Sequence, residues 1–520
     1  MAHVNKYGTL AERYKAFDNR RNAKMARARE YAKLSIPGLL PGQSIGGDDP
    51  LPVPYSSMAA EGVTALSARM VSVLYPLNNV PFFELGVDDQ LQAEGEDTTQ
   101  EDAILTRIAK RAMQQLQPTN LRSALYVAQQ HLQVIGDVLL FQKDNYDFQV
   151  YRLDQYVVRR TPDGEWREII VQEWVDPEYL PEDIRHFPHD PKKSNAGLGP
   201  DNDLEAIFTQ IKWDDENKRY NVRREFREKT FDDDTFYEVS PYFPLRWVAV
   251  AGEDYGRSLI EDAHGDVRML DMLGKALIDG SIMNATAFWG INPGGITEMR
   301  DFDNAVNGMS ISAVQGDIFA IQAENQAQVA TTLAAIQLLE TRLGRRFLME
   351  SVVQPQGDRV TATQIRRIAA ELEQVLGGAL SIQSRDIQIP VVRRTLYKMA
   401  VDEIIPPDMA EFLADANSIL KLTVKAGLEV LQREAKNESL LQIAQIVSQL
   451  PPEAQAVLIW PAWMEQFMVS FGIETVGLIK TPEMIEAERQ AAMEEQRSLQ
   501  AEVAGQQALT AAATQPTGAS

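Results

Sequence analysis

"GQSIG", residues 42–46, has the G-x-S-x-G form that can present a serine nucleophile. That turn works only between a strand that delivers the serine and a helix that follows it. Ser44 is flanked instead by "IPGLLP" and "GDDPLPVP", a proline-rich loop, so no acyl-transfer role is expected of it. His186 and His189 are spaced like two metal ligands, but no third ligand falls in register and both lie in a polar loop, "HFPHDPKKSNAGLGPDND". "FDDDTF" and "DFDNAVNG" gather carboxylates without the glycine and glutamate offsets of a calcium loop. "MLGKAL" carries a Gly–Lys pair but lacks the upstream glycine and the hydroxyl of a phosphate loop, and no GxGxxG occurs. Glu261 and Asp262 stand at a helix start, where negative charge is favourable in any case. No active site, metal centre or cofactor is expected, and the chain does not read as an enzyme.

The elements that would have to position any function are easier to read. The 520 residues are enough for several cores, and 44% apolar with 24% charged residues is a globular composition. No apolar run of about 18 residues is present, so no bilayer span is expected. The start "MAHVNKYGTLAERYKAF" lacks the apolar centre of a secretion signal. The absence of cysteine removes disulfides and thiolate chemistry and fits assembly in a reducing cytoplasm. A net charge of −23 argues against tight DNA binding, which needs phosphate neutralisation, yet permits a wall past which DNA slides.

Residues 9–35 predict a basic amphipathic helix stopped by Pro37 and Pro41, its basic side either solvated or set against an anionic partner. Helices follow over 56–75, 98–116 and 119–136. From Val138 to Val175 apolar and polar residues alternate around the turn "TPDGE", which predicts strands, and "RYNVRREFREK" and "TFYEVSPYFPLRWVAV" continue them. The N-terminal half is therefore expected to be α+β within a mainly α chain.

At "YGRSLIEDAHGDVRMLDMLGKALIDGSIMNA" the character changes. Ser258 and Glu261 predict a capping box, and Leu259, Ala263, Val267, Leu270, Leu273 and Leu277 recur at helical spacing. A helix over 258–284 would be about 40 Å long. A second, over 326–350, carries Val329, Leu333, Ile336, Leu339, Leu343 and Phe347. The segment between them is rich in turns ("NPGG", "NG", "QGD"), so the expectation is an antiparallel helix pair capped by a small module at its far end. A third helix is expected from Ala362 to Ala400, capped by Thr361 and Gln364, with Gly377–Gly378 and Pro390 as kink points. "SVVQPQGDRVT" connects the second and third helices. Residues 428–450 and 453–500 read as helical, and the last twenty residues as a low-complexity tail.

"YGRSLIEDAHGDVRMLDML", "INPGGIT", "GDRVTATQIRRIAAELEQVLGG" and "IQIPVVRRTL", in that order, resemble the portal proteins, or head-to-tail connectors, of short-tailed double-stranded DNA phages. The likeness reaches back to "YAKLSIPGLLP" and "HLQVIGDVLLFQ" and covers most of residues 10–430; the C-terminal portion is less distinctive. The resemblance implies a mainly α portal fold with α+β parts. Residues 1–257 and 362–425 would be the wing, 258–287 and 326–350 the stem helices and 288–325 the clip. Residues 351–361 would be a tunnel loop, 426–505 a helical crown and 506–520 a disordered tail.

It further implies a ring of twelve subunits at one capsid vertex, at the head–tail junction of the virion. DNA would pass through it without sequence preference. Terminase and then a tail adaptor would meet the clip, at residues such as Asn292, Pro293, Gly294 and Arg300. Major capsid protein, scaffold and internal core proteins are further expected partners; a membrane is not. Candidates for DNA contact are Gln354, Gln356 and Arg359 on the loop and Lys275, Arg345 and Arg346 on the stem. Arg345 and Arg346 fit intersubunit salt bridges equally well, while Arg366 and Arg367 are assigned to packing or to neighbours. The alternative reading is a helical capsid scaffolding protein without a channel.

Overall fold

The computed structural model describes residues 8–41, 50–76, 82–86, 99–187, 204–232, 235–285, 288–300, 312–321, 326–349, 382–405 and 423–426, with a few isolated positions. The chain divides into two compact units, Met1–Glu96 with Arg107–Val430, and Asp97–Thr106 with Leu431–Ser520. Nearly all described residues belong to the first. Ser44, His189, residues 351–361, the helix start near Thr361 and Gln364, Arg366 and Arg367, and everything after residue 426 lie outside the described residues.

Helix α1 (Leu10–Leu34) begins where expected, with Thr9 Oγ1 accepting from Glu12 N at 3.2 Å. Its basic side is solvated only in part: Lys15, Arg20, Arg29 and Lys33 are exposed, and the rest turns inward. Arg21 and Lys24 are buried, Arg21 donating to the Leu153 and Tyr156 carbonyls and Lys24 to that of Gly256. Arg13 makes a two-bond pair with Glu168 at 2.6 Å, and Arg27 meets Glu261 at 3.1 Å. The anionic partner of this helix is its own chain. Leu10, Tyr14 and Phe17 of the same helix pack on Val157, Ile170, Ala206 and Phe208.

Helices α2 (Met58–Leu74), α3 (Thr99–Leu116) and α4 (Leu121–Val134) match the three expected ones to within a few residues. Strands β2 (Asp137–Gln142), β3 (Phe148–Tyr151) and β10 (Tyr242–Arg246) form one antiparallel sheet in the order β10-β2-β3. Strands β4 (Tyr156–Arg160), β5 (Trp166–Val175), β6 (Glu205–Asp214), β7 (Arg219–Phe226) and β8 (Lys229–Asp232) form a second, with β9 (Phe236–Tyr237) also on β7. The alternation read across 138–175 thus resolves into four strands, and "TPDGE" is the β4–β5 turn, closed by Thr161 N donating to the Glu165 carbonyl at 2.8 Å. Strand β1 (Phe83–Gly86) pairs with β13 (Thr423–Ala426) across most of the chain's length.

Helix α5 (Leu259–Ala285) and helix α6 (Gln326–Arg346) are the long pair. Strands β11 (Phe288–Ile291) and β12 (Ile318–Ile321) form an antiparallel ribbon that continues it. The capping box at Ser258 is half formed. Glu261 N donates to Ser258 Oγ at 2.9 Å, but the Glu261 carboxylate turns away to Arg27 and Arg257, two full charges that outcompete one amide.

Helix α7 (Ile389–Val401) is the described end of the expected long third helix. A π-turn over Ser384–Gln388 precedes it, directly before Pro390. Proline has no N–H for the carbonyl four residues back and its ring crowds that carbonyl, so the backbone widens there. Buried glutamines tie this turn to the core: Gln129 Nε2 donates to Gln383 Oε1 at 2.6 Å, and Gln388 Nε2 donates to the Leu74 carbonyl at 2.5 Å. Nearby, Gln142 Nε2 donates to Thr395 Oγ1 at 3.1 Å. Among the described residues no helix is long and apolar enough to cross a membrane.

Candidate nucleic-acid interface

The long helix pair is antiparallel by its contacts. Arg342 pairs with Asp266 at 3.0 Å and Arg346 with Asp262 at 3.2 Å, so four residues forward on one helix correspond to four back on the other. The ribbon beyond repeats the sense, with Phe288 opposite Ile321 and Ile291 opposite Ile318.

The apolar stripe on this pair is buried at one end only. Leu259, Ala263, Val267 and Leu270 of α5 are covered, as are Leu339 and Leu343 of α6 and Phe347 just past its end. Towards the ribbon the stripe positions Leu273, Leu277 and Ile336 are only half-buried and Leu333 is 42% exposed, while Met272 at 63%, Ile278 at 44% and Leu338 at 62% add exposed apolar side chains beside the stripe. The ribbon and its loops continue the trend with Ile296, Met299 and Val306, each about 70% exposed. Burying one such side chain is worth about 2 kcal/mol, so this surface is built to be covered.

At its covered end the pair is fixed to the α+β body. Asp137, at the start of β2, is buried beside Lys24 Nζ at 3.1 Å and accepts from Gly256 N at 2.8 Å. Burial pushes the Asp137 carboxyl upward, opposed by the charge of Lys24. Gly136 sits at φ +91°, and a Cβ there would come within 2.8 Å of the Arg257 backbone, so the strand and the helix start meet through a glycine. Further along, Glu30 lies 3.3 Å from His264, whose ring meets Tyr31 edge-on at 5.1 Å.

The far loop is organised around one carboxylate. Asp317 Oδ2 accepts from Ile296 N at 2.9 Å, Thr297 Oγ1 at 3.2 Å and Val314 N at 3.3 Å, and the Asp317 carbonyl accepts from Asn292 N at 2.9 Å. These donors hold the carboxyl below its usual range, the Ile296 amide first. A Cβ on Gly295 would lie 2.2 Å from Asp317 Oδ1, so glycine is required for the carboxylate to enter. Sequence reasoning missed Asp317 because its partners converge from both sides of the module. Asn292, Pro293, Gly294 and Arg300 are exposed around this centre, with Asn292 Oδ1 accepting from Gly294 N at 3.1 Å.

Of the stem candidates, Lys275 is exposed, its ammonium 5.8 Å from the centre of the Tyr55 ring. Tyr55 N donates to Asp271 Oδ1 at 2.6 Å, so an extended segment crosses α5 at this point. Arg346 is engaged by Asp262 within the chain, a pairing the sequence did not suggest. Arg345 is exposed beside it. Gln354, Gln356 and Arg359 lie outside the described residues. Among the described residues no group of acidic, histidine or cysteine side chains could hold a metal.

The family model of the bacteriophage head to tail connecting protein matches residues 7–479, well into the C-terminal portion that the sequence reading found undistinctive. The portal protein of Escherichia phage T7 is 30% identical over 486 residues, 90% of this chain and 88% of that protein. The portal protein of Pseudomonas phage phiKMV is 24% identical over 92% of this chain and 93% of its own. Among solved structures, the neck of an empty gene transfer agent particle aligns with 77% of this chain and 89% of its own, at 10% identity and a TM-score of 0.33; nothing below rests on it. With nearly the whole chain matched and a mixed α and β fold on the page, this is a structural, non-catalytic protein, and it belongs to the bacteriophage head to tail connecting protein family.

Proposed function

We propose that copies of this chain join side by side into a closed ring, a dodecamer, at the head–tail junction of a virion, and that double-stranded DNA passes through it during packaging and ejection. The observation that carries this reading is the run of exposed apolar side chains on α5 and α6, Met272, Ile278, Leu333 and Leu338, among the described residues. In a cyclic assembly each subunit offers one face to the next, and a long uncovered helix pair supplies such a face.

In this reading α5 and α6 are the stem, the β11–β12 ribbon with its Asp317-centred loop is the clip, the α+β body with α7 is the wing, and the helices after residue 426 form the crown. Terminase and then the tail adaptor dock around Asn292, Pro293, Gly294 and Arg300. Capsid protein, scaffold and internal core proteins meet the remaining surfaces. Residues 351–361 form the tunnel loop, where Gln354, Gln356 and Arg359 touch phosphate together with Lys275. Arg345 and Arg346 stiffen the stem. A wall of net negative subunits lets DNA slide, while sparse rings of cations and amides hold it by salt-sensitive contacts.

The test is an averaged electron-microscopy view of the purified particle down its axis, paired with labelling of the chain in virions. A closed ring at the tail vertex is the expected result. A protein that stays monomeric at high concentration and lies elsewhere in the particle would overturn the reading.

A further inference from the structure

The Asp266–Arg342 contact sets the height of every residue on the long pair. Arg268 lies two residues after Asp266 on α5, and Glu340 two residues before Arg342 on α6. The helices are antiparallel, so both steps run the same way along the pair, by about 3 Å. Arg268 and Glu340 therefore stand level. Lys275 and Leu333 are each nine residues from the contact and stand level again, about 13.5 Å along.

Direction follows from the same count. At about 100° per residue, each of the four is turned about 160–200° from the contact residue of its own helix. Helix α5 thus presents Arg268 and Lys275 on one outer edge of the pair, and α6 presents Glu340 and Leu333 on the opposite edge. All four are exposed.

The two edges are unlike and complementary. On α5 the Arg268 side chain is 61% exposed and approaches Glu30 only to 3.7 Å, beyond hydrogen-bond reach. Tyr55, held by Asp271, and Met272 lie on either side of Lys275, both half exposed or more. The α6 edge carries Glu340, which makes no ion pair with a described residue, and the exposed apolar side chain of Leu333.

We propose that these two edges meet between copies of this chain: Glu340 of one copy pairs with Arg268 of the next, and Leu333 seats between Met272 and Tyr55. The occupant is a second copy because the matching acid and apolar side chain stand on this chain's own far edge at equal heights. A rotation about an axis running along the pair brings such edges together, and a contact between unlike edges is the head-to-tail kind that closes a ring. The Lys275 stem floors the seat while its ammonium reaches past the seam. The inference rests on the ring reading and names the seam that reading leaves open.

The chain has no cysteine, so an introduced pair reports without background. Met272→Cys with Leu333→Cys, oxidised in the purified full chain, is expected to give a ladder of covalent multimers on a denaturing gel, and each single variant to stay monomeric there. Arg268→Glu should lower the yield of rings about tenfold, and Glu340→Arg added to it should restore them, whereas Glu178→Arg elsewhere on the surface should not. A missing ladder, normal ring yield in Arg268→Glu, or rescue by Glu178→Arg would overturn the seam while leaving the ring standing. No ring from the unaltered chain would overturn the ring reading and the seam with it.

Discussion

Arg346 on α6 stands 3.2 Å from Asp262 on α5, one turn away from the Arg342–Asp266 pair at 3.0 Å. The two contacts fix the antiparallel register of the long helices. Both are largely exposed, so each is worth about 0.5 kcal/mol. Arg346→Asp is expected to loosen the pair, and Arg346→Asp with Asp262→Arg to restore it. A double-mutant cycle on the thermal midpoint measures the coupling; an additive cycle would remove any role for the pair in setting register.

The buried pair at the root of α5 should behave differently. Asp137→Asn strands the Lys24 ammonium in a closed site and is expected to cost about 3 kcal/mol. Adding Lys24→Met to that variant removes the orphaned charge while the asparagine oxygen still accepts from Gly256 N, so most of the loss should return. Calorimetry on the three variants decides it. Because the folded carboxyl is shifted upward, its own contribution is present at low pH and fades as pH rises through the raised value.

Acid stability has a second, opposite component. His131 is buried, its Nδ1 has no hydrogen-bond partner, and burial lowers its pKa to about 4. The unfolded chain takes up a proton near pH 6.5 and the folded chain does not, so this stability is present above that pH and is lost on acidification towards about 4. The loss is about 3 kcal/mol at most. His131→Gln should flatten the fall in stability between pH 6.5 and 4, read by urea unfolding at stepped pH. An unchanged slope would show that other groups set the acid limb.

Gly295→Ala should expel the Asp317 carboxylate from its loop, because the new Cβ would fall 2.2 Å from Asp317 Oδ1. Hydrogen exchange at the Ile296 and Val314 amides is expected to quicken, while α5 and α6 remain protected. Faster exchange throughout the helix pair would mean that the loop is not a separate module.

Deleting residues 354–358 tests the tunnel-loop reading. Rings should still assemble, but DNA retention or passage should fail in a packaging assay. Normal packaging and ejection would count against that role for Gln354 and Gln356.

Much of this was legible because it is local. Alternation and "TPDGE" gave the strands of 138–175, and the 3.6-residue period located α5 and α6 to within a few residues. Pro390 marked its own distortion. What could not be read was long-range. Arg13, Lys24 and Arg27 of α1 find their acids in Glu168, Asp137 and Glu261, far along the chain, so part of a helix face that looks solvated turns inward. Strand β1 meets β13 across some 340 positions, a pairing that no local pattern encodes. The Arg346–Asp262 bridge was missed for the same reason: each residue is an ordinary surface charge until the register of two helices is known.

The turn over Ser384–Gln388 holds one residue more than an α-helix would need there. A relative lacking a single amino acid in that span could therefore keep Val391, Val392 and Leu396 seated as they are. Losing the surplus residue would close the turn to ordinary α-helix and leave Gln383 on its N-terminal side in register. Length differences among homologues at this spot should accordingly come as single-residue gaps that leave the apolar pattern on either side unshifted.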